Sequence, residues 1–166
     1  MTDPAPTIID GRYRVLERVG SVGMADVFCA EDLQLGRKVA VKIQYPGADE
    51  ALRADLKTIR RLTGIFKQLA PGIDVQGVVD ELIERTEMEL DYRLEADNQR
   101  IFAKAYEGHP HFLIPHVVAS APKTVIQEWI EGVGMAEIIR NGTVEQRDLM
   151  GTRLAEFTWD AARRLE

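Results

Sequence analysis

The sequence predicts a mixed α/β (α+β) domain in which a five-stranded antiparallel sheet is interrupted by two long helices. Three observations carry this. Between Arg12 and Gln44, three Val- and Ile-bearing runs are split by glycine turns. From Ala48 to Ala105, apolar residues recur at threes and fours, the spacing of one helix face. Between Phe112 and Ile130, two more short apolar runs meet at Ser120-Ala121-Pro122.

Taken in order, residues 1–9 read as a flexible leader, because Met1-Thr2-Asp3-Pro4-Ala5-Pro6 has neither a basic start nor an apolar run. Tyr13, Val15 and Val19 alternate with charged residues, Val27 and Phe28 sit in a second run, and Lys38 to Gln44 makes a third. Leu35-Gly36 turns the second run into the third, and Pro46-Gly47 stops the meander. Leu52, Leu56, Ile59, Leu62, Phe66 and Leu69 then form one stripe of a helix over about 48–70, which Pro71-Gly72 ends. That stripe is expected to be mostly buried. Asp74 is positioned to cap a longer helix over about 75–105, carrying Val78, Val79, Leu82, Ile83, Leu90, Leu94, Ile101 and Phe102. Strands are expected over Phe112–Ala119 and Lys123–Ile130. Thr143-Val144-Glu145-Gln146 has the spacing of a capping box for a last helix with Leu149, Leu154, Phe157 and Trp159.

Composition narrows the class. At 166 residues, 45% apolar and 29% charged, the chain can bury a core, and it has no apolar run long enough for a transmembrane helix. A net charge of −6 argues against nucleic acid, which needs a basic face to release counterions. Cys29 is the only cysteine, so an internal disulfide is ruled out and a reducing, cytoplasmic setting fits. Set after Phe28 in an apolar run, it reads as a small buried hydrophobe rather than a nucleophile. His109, His111 and His116 lack the spacing of metal ligands on a regular element.

The chemistry-bearing pattern is Val39-Ala40-Val41-Lys42, a lysine on a β-branched strand, preceded by Gly20-Ser21-Val22-Gly23-Met24-Ala25-Asp26-Val27. A glycine turn that lays backbone over a triphosphate, followed by a strand lysine for its α- and β-phosphates, is how a protein-kinase N-lobe holds ATP. Residues 8–42, with Asp10-Gly11-Arg12-Tyr13, resemble bacterial Ser/Thr kinases. Beyond Lys42 the chain is similar to another group. Gln44-Tyr45-Pro46-Gly47, Arg53-Ala54-Asp55-Leu56, Glu89-Leu90-Asp91-Tyr92-Arg93-Leu94-Glu95-Ala96 and Gly108-His109-Pro110 resemble the UbiB (AarF/ADCK) family of atypical kinase-like proteins, over roughly residues 38–160.

The resemblance implies a kinase-like N-lobe over 10–132, followed by a hinge-following segment and first C-lobe helix over 133–166. It implies ATP with Mg²⁺ as cofactors and a link to coenzyme Q or isoprenoid-lipid metabolism. Lys42 would be the phosphate lysine and Glu89 its helix partner. Gly20, Ser21, Val22, Gly23, Val27 and Ala40 would line the nucleotide, with Gln127 as gatekeeper and Glu128 and Ile130 in the adenine-contacting hinge. Val22 stands where ordinary kinases have a glycine, and a β-branched residue resists a left-handed backbone. The family's Lys-x-Gly-Gln extension is absent from these residues, and no His-x-Asp or Asp-Phe-Gly motif follows residue 132. The expected partners are therefore ATP and a C-lobe, and the chain by itself is expected not to transfer phosphate. The helix over 48–70 also offers a face to a partner protein or second copy. Its Arg53, Lys57, Arg60, Arg61 and Lys67 admit a membrane surface, the less favoured reading. Two alternatives stay open: a bacterial Ser/Thr kinase N-lobe, on residues 8–42, and a non-catalytic nucleotide-sensing or partner-binding module, on the absent catalytic motifs.

Overall fold

The computed structural model describes residues 7–69 and 75–164, with side chains throughout except 64–69, 75 and 87–89. Six strands form one antiparallel sheet: β1 (Ile8–Ile9), β2 (Tyr13–Val22), β3 (Ala25–Asp32), β4 (Arg37–Gln44), β5 (Val117–Ala121) and β6 (Thr124–Glu128), in the order β1-β2-β3-β4-β6-β5. The helices are α1 (Ala48–Leu69), α2 (Val75–Glu89), α3 (Tyr92–Ala105), α4 (Met135–Asn141) and α5 (Val144–Arg164).

The sixth strand lies in the segment expected as a leader. Asp10 and Gly11 take φ of 52° and 62°, and the Arg12 N–H donates to the Ile9 carbonyl at 3.1 Å. Two positive φ values at the centre of the Ile9–Arg12 turn are those of type I′, so Asp-Gly folds Ile8–Ile9 back onto Tyr13–Arg14 across a loop of residues 10–12. Beyond it, Arg12 donates to both carboxylate oxygens of the fully buried Asp32, at 2.9 and 2.6 Å. The Gln34 and Leu35 amides also donate to Asp32, at 3.0 and 3.3 Å. Arg12, then these amides, hold the Asp32 carboxyl down at about 2 against the opposing effect of burial.

Alternation along the strands builds two cores. Tyr13, Ala30, Val39, Val41 and Ile126 pack on one face. On the other, Ala25 and Val125 meet Tyr92 and Ala96 of α3.

The single long helix expected over 75–105 is two helices. Asp91 is extended (φ −99°, ψ 100°), its carboxylate accepts the Arg93 N–H at 3.0 Å, and the Tyr92 N–H donates to the Pro122 carbonyl at 3.0 Å. An N-cap aspartate and a tie to the β5–β6 turn thus restart the helix on the sheet. Pro71-Gly72 and the Asp74 cap lie outside the described residues. In α1, Leu56 is buried but Ile59 and Leu62 are 38% and 46% exposed, so the stripe is covered only in part. Phe66 and Leu69 fall among the side chains not described.

At the far end, β5 begins at Val117 rather than Phe112. Pro115 has no N–H for a ladder, and Phe112 is spent on the Tyr106 and Phe157 rings, at 5.9 and 5.4 Å. The Thr143 capping box forms, with Gln146 N–H to Thr143 Oγ1 at 3.3 Å and Thr143 N–H to Gln146 Oε1 at 2.9 Å. The short α4 was not expected. It ends at Gly142, where any Cβ would stand 2.4 Å from the Ile138 carbonyl oxygen.

Candidate functional site

Lys42 pairs with Val27 on β3 and with Val125 on β6, near the middle of the sheet. Alternation turns Ala40 and Lys42 to the face that α3 covers. There the Lys42 ammonium lies 2.8 and 2.7 Å from the two oxygens of Glu95 and 4.4 Å from the centre of the Tyr92 ring. Its side chain is 24% exposed, against 44% for Glu95, so the pair straddles the boundary between core and cleft. Burial, followed by the Glu95 charge, pushes the Tyr92 phenol up.

The pairing expected of Glu89 thus falls to Glu95. Glu89 ends α2, and its side chain is not among those described. The break at Asp91 puts the two glutamates on different helices, and only α3 is laid on the sheet. Glu95 comes three residues after the buried Tyr92, beside the buried Ala96, on the packed stripe. The signal was present in the sequence as an acid three residues after an aromatic and one before an alanine, inside a run that otherwise reads as a solvated face.

Two cavities flank the Lys42–Glu95 pair. The smaller, about 240 Å³, is lined by Val22, Val27, Ala40, Val125 and Gln127 together with the pair itself. The larger, about 540 Å³, runs under the hairpin tip between Val22, Gly23, Met24, Tyr92 and Asn98, with Arg85 of α2 at its edge. Of the residues expected around a nucleotide, the cavities bring together Val22, Gly23, Val27, Ala40, Lys42 and Gln127. Gln127 is fixed by the Gln99 amide, which donates to its Oε1 and to the Pro115 carbonyl, both at 2.7 Å.

Four expected residues lie elsewhere. Gly20 lines neither cavity. Ser21 points to the opposite face, where its hydroxyl joins Arg18 and Asp26. Glu128 spends its carboxylate on Arg37 at 3.3 Å and on the His116 amide at 3.2 Å. Ile130, beyond β6, is 43% exposed and lines neither cavity. Val22 is not called on for a left-handed backbone. It stays in the extended strand, while Gly23 alone takes a positive φ, 58°, at the first position of a Gly23-Met24 turn. One positive φ at that position is the type II′ hairpin, which needs glycine there and nowhere else.

Among the described residues no helix is long and apolar enough to cross a membrane. Nor does any group of three or more His, Cys, Asp or Glu among them stand close enough to hold a metal ion.

The family model for the ABC1 atypical kinase-like domain matches residues 9–161. A chloroplastic aarF domain-containing protein kinase of Arabidopsis thaliana is 33% identical over 125 residues, 74% of this chain and 18% of that protein. The mitochondrial atypical kinase COQ8B of Rattus norvegicus is 32% identical over 117 residues, 66% of this chain and 22% of that protein. Among solved structures, Rv3197 of Mycobacterium tuberculosis in complex with erythromycin is 70% identical, with a TM-score of 0.82, over 93% of this chain and 40% of that one. The chain therefore spans about a fifth of the length of these curated relatives. With the family model covering nearly all of it, the chain belongs to the ABC1 (UbiB) family of atypical kinase-like proteins.

Proposed function

We propose that this chain is the nucleotide-gripping lobe of a UbiB-type ATP-dependent phosphotransferase or ATPase. The observation that carries the reading is the Lys42–Glu95 pair set between two cavities under the Gly23 hairpin. The smaller cavity, with valine and alanine walls and the Gln127 amide at one end, suits a flat heteroaromatic base. A lysine held by a carboxylate suits the adjoining phosphates, because the pair can open to trade one anion for another without leaving a buried charge alone. Mg²⁺, when bound with ATP, would neutralise the transferring phosphoryl group. Its ligands in this reading come from a C-lobe. Family resemblance adds a link to coenzyme Q or isoprenoid-lipid chemistry, and the single cysteine fits a reducing, cytoplasmic setting.

The test is MgATP affinity in the full-length polypeptide. Lys42→Met is expected to weaken binding by about tenfold or more, since it removes a charge-assisted contact. Glu95→Gln should alter affinity in a way coupled to Lys42→Met, and Glu89→Gln should add to Lys42→Met independently. Unchanged affinity in Lys42→Met would remove the reading.

A second reading has one specific support: a relative 70% identical over most of this chain was solved with erythromycin. Titration of the same polypeptide with erythromycin tests whether macrolide binding extends to this protein, and heat release no greater than dilution would exclude it.

A further inference from the structure

The face of the glycine hairpin turned away from the cleft carries an arrangement that the nucleotide reading does not use. Asp26 and Ser21 are cross-strand partners on β3 and β2. Three donors converge on one oxygen of Asp26: the Arg18 guanidinium at 2.5 Å, the Ser21 hydroxyl at 3.0 Å and the Tyr45 hydroxyl at 3.1 Å. Arg18 also reaches the Ser21 hydroxyl at 2.5 Å. Arg18 can do so because Val19 is bulged between the Arg18–Phe28 and Gly20–Val27 pairs, which re-aims the strand.

Tyr45 is the residue that ties this group to the rest of the sheet. It follows β4, and besides its hydroxyl bond its backbone N–H donates to the Met24 carbonyl, at the hairpin tip, at 2.9 Å. Its own base is fixed, since the preceding Gln44 is buried and the Gln44 N–H donates to the Lys123 carbonyl at 3.0 Å. The tip is thus pinned from behind at Met24 and at Asp26. Gly23 and Met24, which line the larger cavity and not the smaller, lie between Ser21 and Asp26 of the same network in sequence.

A two-residue hairpin with a glycine turn has few contacts of its own at the tip and is free to lift unless something holds it. We propose that Tyr45 and Asp26 form a latch that sets the height of the glycine hairpin over Lys42, making both positioning residues for the phosphate-bearing part of the nucleotide. The inference rests on the nucleotide reading above and deepens it. Neither residue touches the ligand in this scheme. They act through Gly23 and Met24, which line only the larger cavity, so their effect falls on ligands that reach beneath the tip and spares those that occupy only the base cavity.

The experiment compares ATP with adenosine on the full-length polypeptide carrying Tyr45→Phe or Asp26→Asn. ATP affinity is expected to fall about fivefold in each variant, the size of one lost hydrogen bond, while adenosine affinity stays as in the wild type. Hydrogen exchange at the Gly23 and Met24 amides should speed up in parallel, and Tyr45→Phe serves if Asp26→Asn does not fold. Wild-type protein that binds ATP, with both variants binding it equally well, overturns the latch and leaves the nucleotide reading standing. Equal losses for ATP and adenosine also overturn it, by showing a general disturbance of the lobe. Wild-type protein that binds neither ligand removes the nucleotide reading, and the latch with it.

Discussion

The sheet with α3 and the helical hairpin of α1 and α2 both carry regular apolar periodicity yet hold together in different ways. In the first, Ala96 of α3 is fully buried against the sheet, and an ion pair between Arg12 and Asp32 has its carboxylate wholly out of water. In the second, Val78 and Leu82 of α2 are 66% and 49% exposed. There the ion pair joining the helices, Arg60 to Asp80 at 3.0 Å, has two partly exposed side chains, with only the contacting Asp80 Oδ1 covered, and is too poorly aligned for a hydrogen bond. The lesson is that periodicity reports which residues could be buried, and only a neighbouring surface decides which are. The site follows that division, because Glu95 rides on the packed helix and Glu89 ends the unpacked one.

The comparison breaks most visibly at Arg12. Removing it strands a carboxylate that the fold has already stripped of water, and such changes are among the most damaging available. Arg12→Met is expected to lower Tm by on the order of 10 °C at neutral pH, measured by thermal unfolding. The pH dependence has a definite sign. Asp32 is held at about 2, below its ordinary 3.8, so the folded state binds its proton less readily than the unfolded chain. The stabilisation is therefore complete above about pH 4 and drains away as pH falls toward 2. The gap between wild type and Asp32→Asn should close over that window, and a gap that stayed constant down to pH 2 would rule out the ion pair as its source.

A smaller effect sharpens the contrast between the two helices. Ala96→Leu must force three extra carbons between α3 and the sheet, costing about 1–3 kcal/mol. Val78→Ala on α2 should change stability by no more than about 0.5 kcal/mol. Urea unfolding of both variants measures the difference, and comparable losses would mean that α2 is packed in solution as firmly as α3.

What the sequence made legible follows the same boundary. The meander, the lysine strand and the Thr143 cap were readable because their determinants are local: alternation, a glycine after a strand, a hydroxyl three residues before an amide. The Asp10-Gly11 turn was equally local, but the strand it folds back, Ile8–Ile9, read as the end of a leader, since two isoleucines make a short strand. Glu95 was hidden because helix periodicity runs unbroken through Leu90 and Asp91, and the break comes from a tertiary bond between the Tyr92 amide and Pro122, thirty residues on. Ser21 was assigned to the nucleotide from its place in a motif, whereas strand parity turns it to the back of the sheet. Gly20, Glu128 and Ile130 were likewise assigned by motif, with nothing in the sequence to say which way they face.

The finest probe of the division is the exposed pair itself. Arg60 lies on α1 and Asp80 on α2, with side chains 60% and 41% exposed. Water reaches both side chains even though the contacting Asp80 oxygen is covered, and holding two side chains together costs entropy that a misaligned contact barely offsets. Arg60→Met is therefore expected to shift stability by about 0.5 kcal/mol or less, and raising salt from low to high ionic strength should erase even that. The same salt series applied to Arg12→Met should leave its deficit almost intact, because the Asp32 carboxylate is shielded from mobile ions. A salt-insensitive loss at Arg60 would show that the α1–α2 hairpin is covered in solution by a surface that these residues do not supply, and would turn the exposed Ile59 and Leu62 into the first place to look for it.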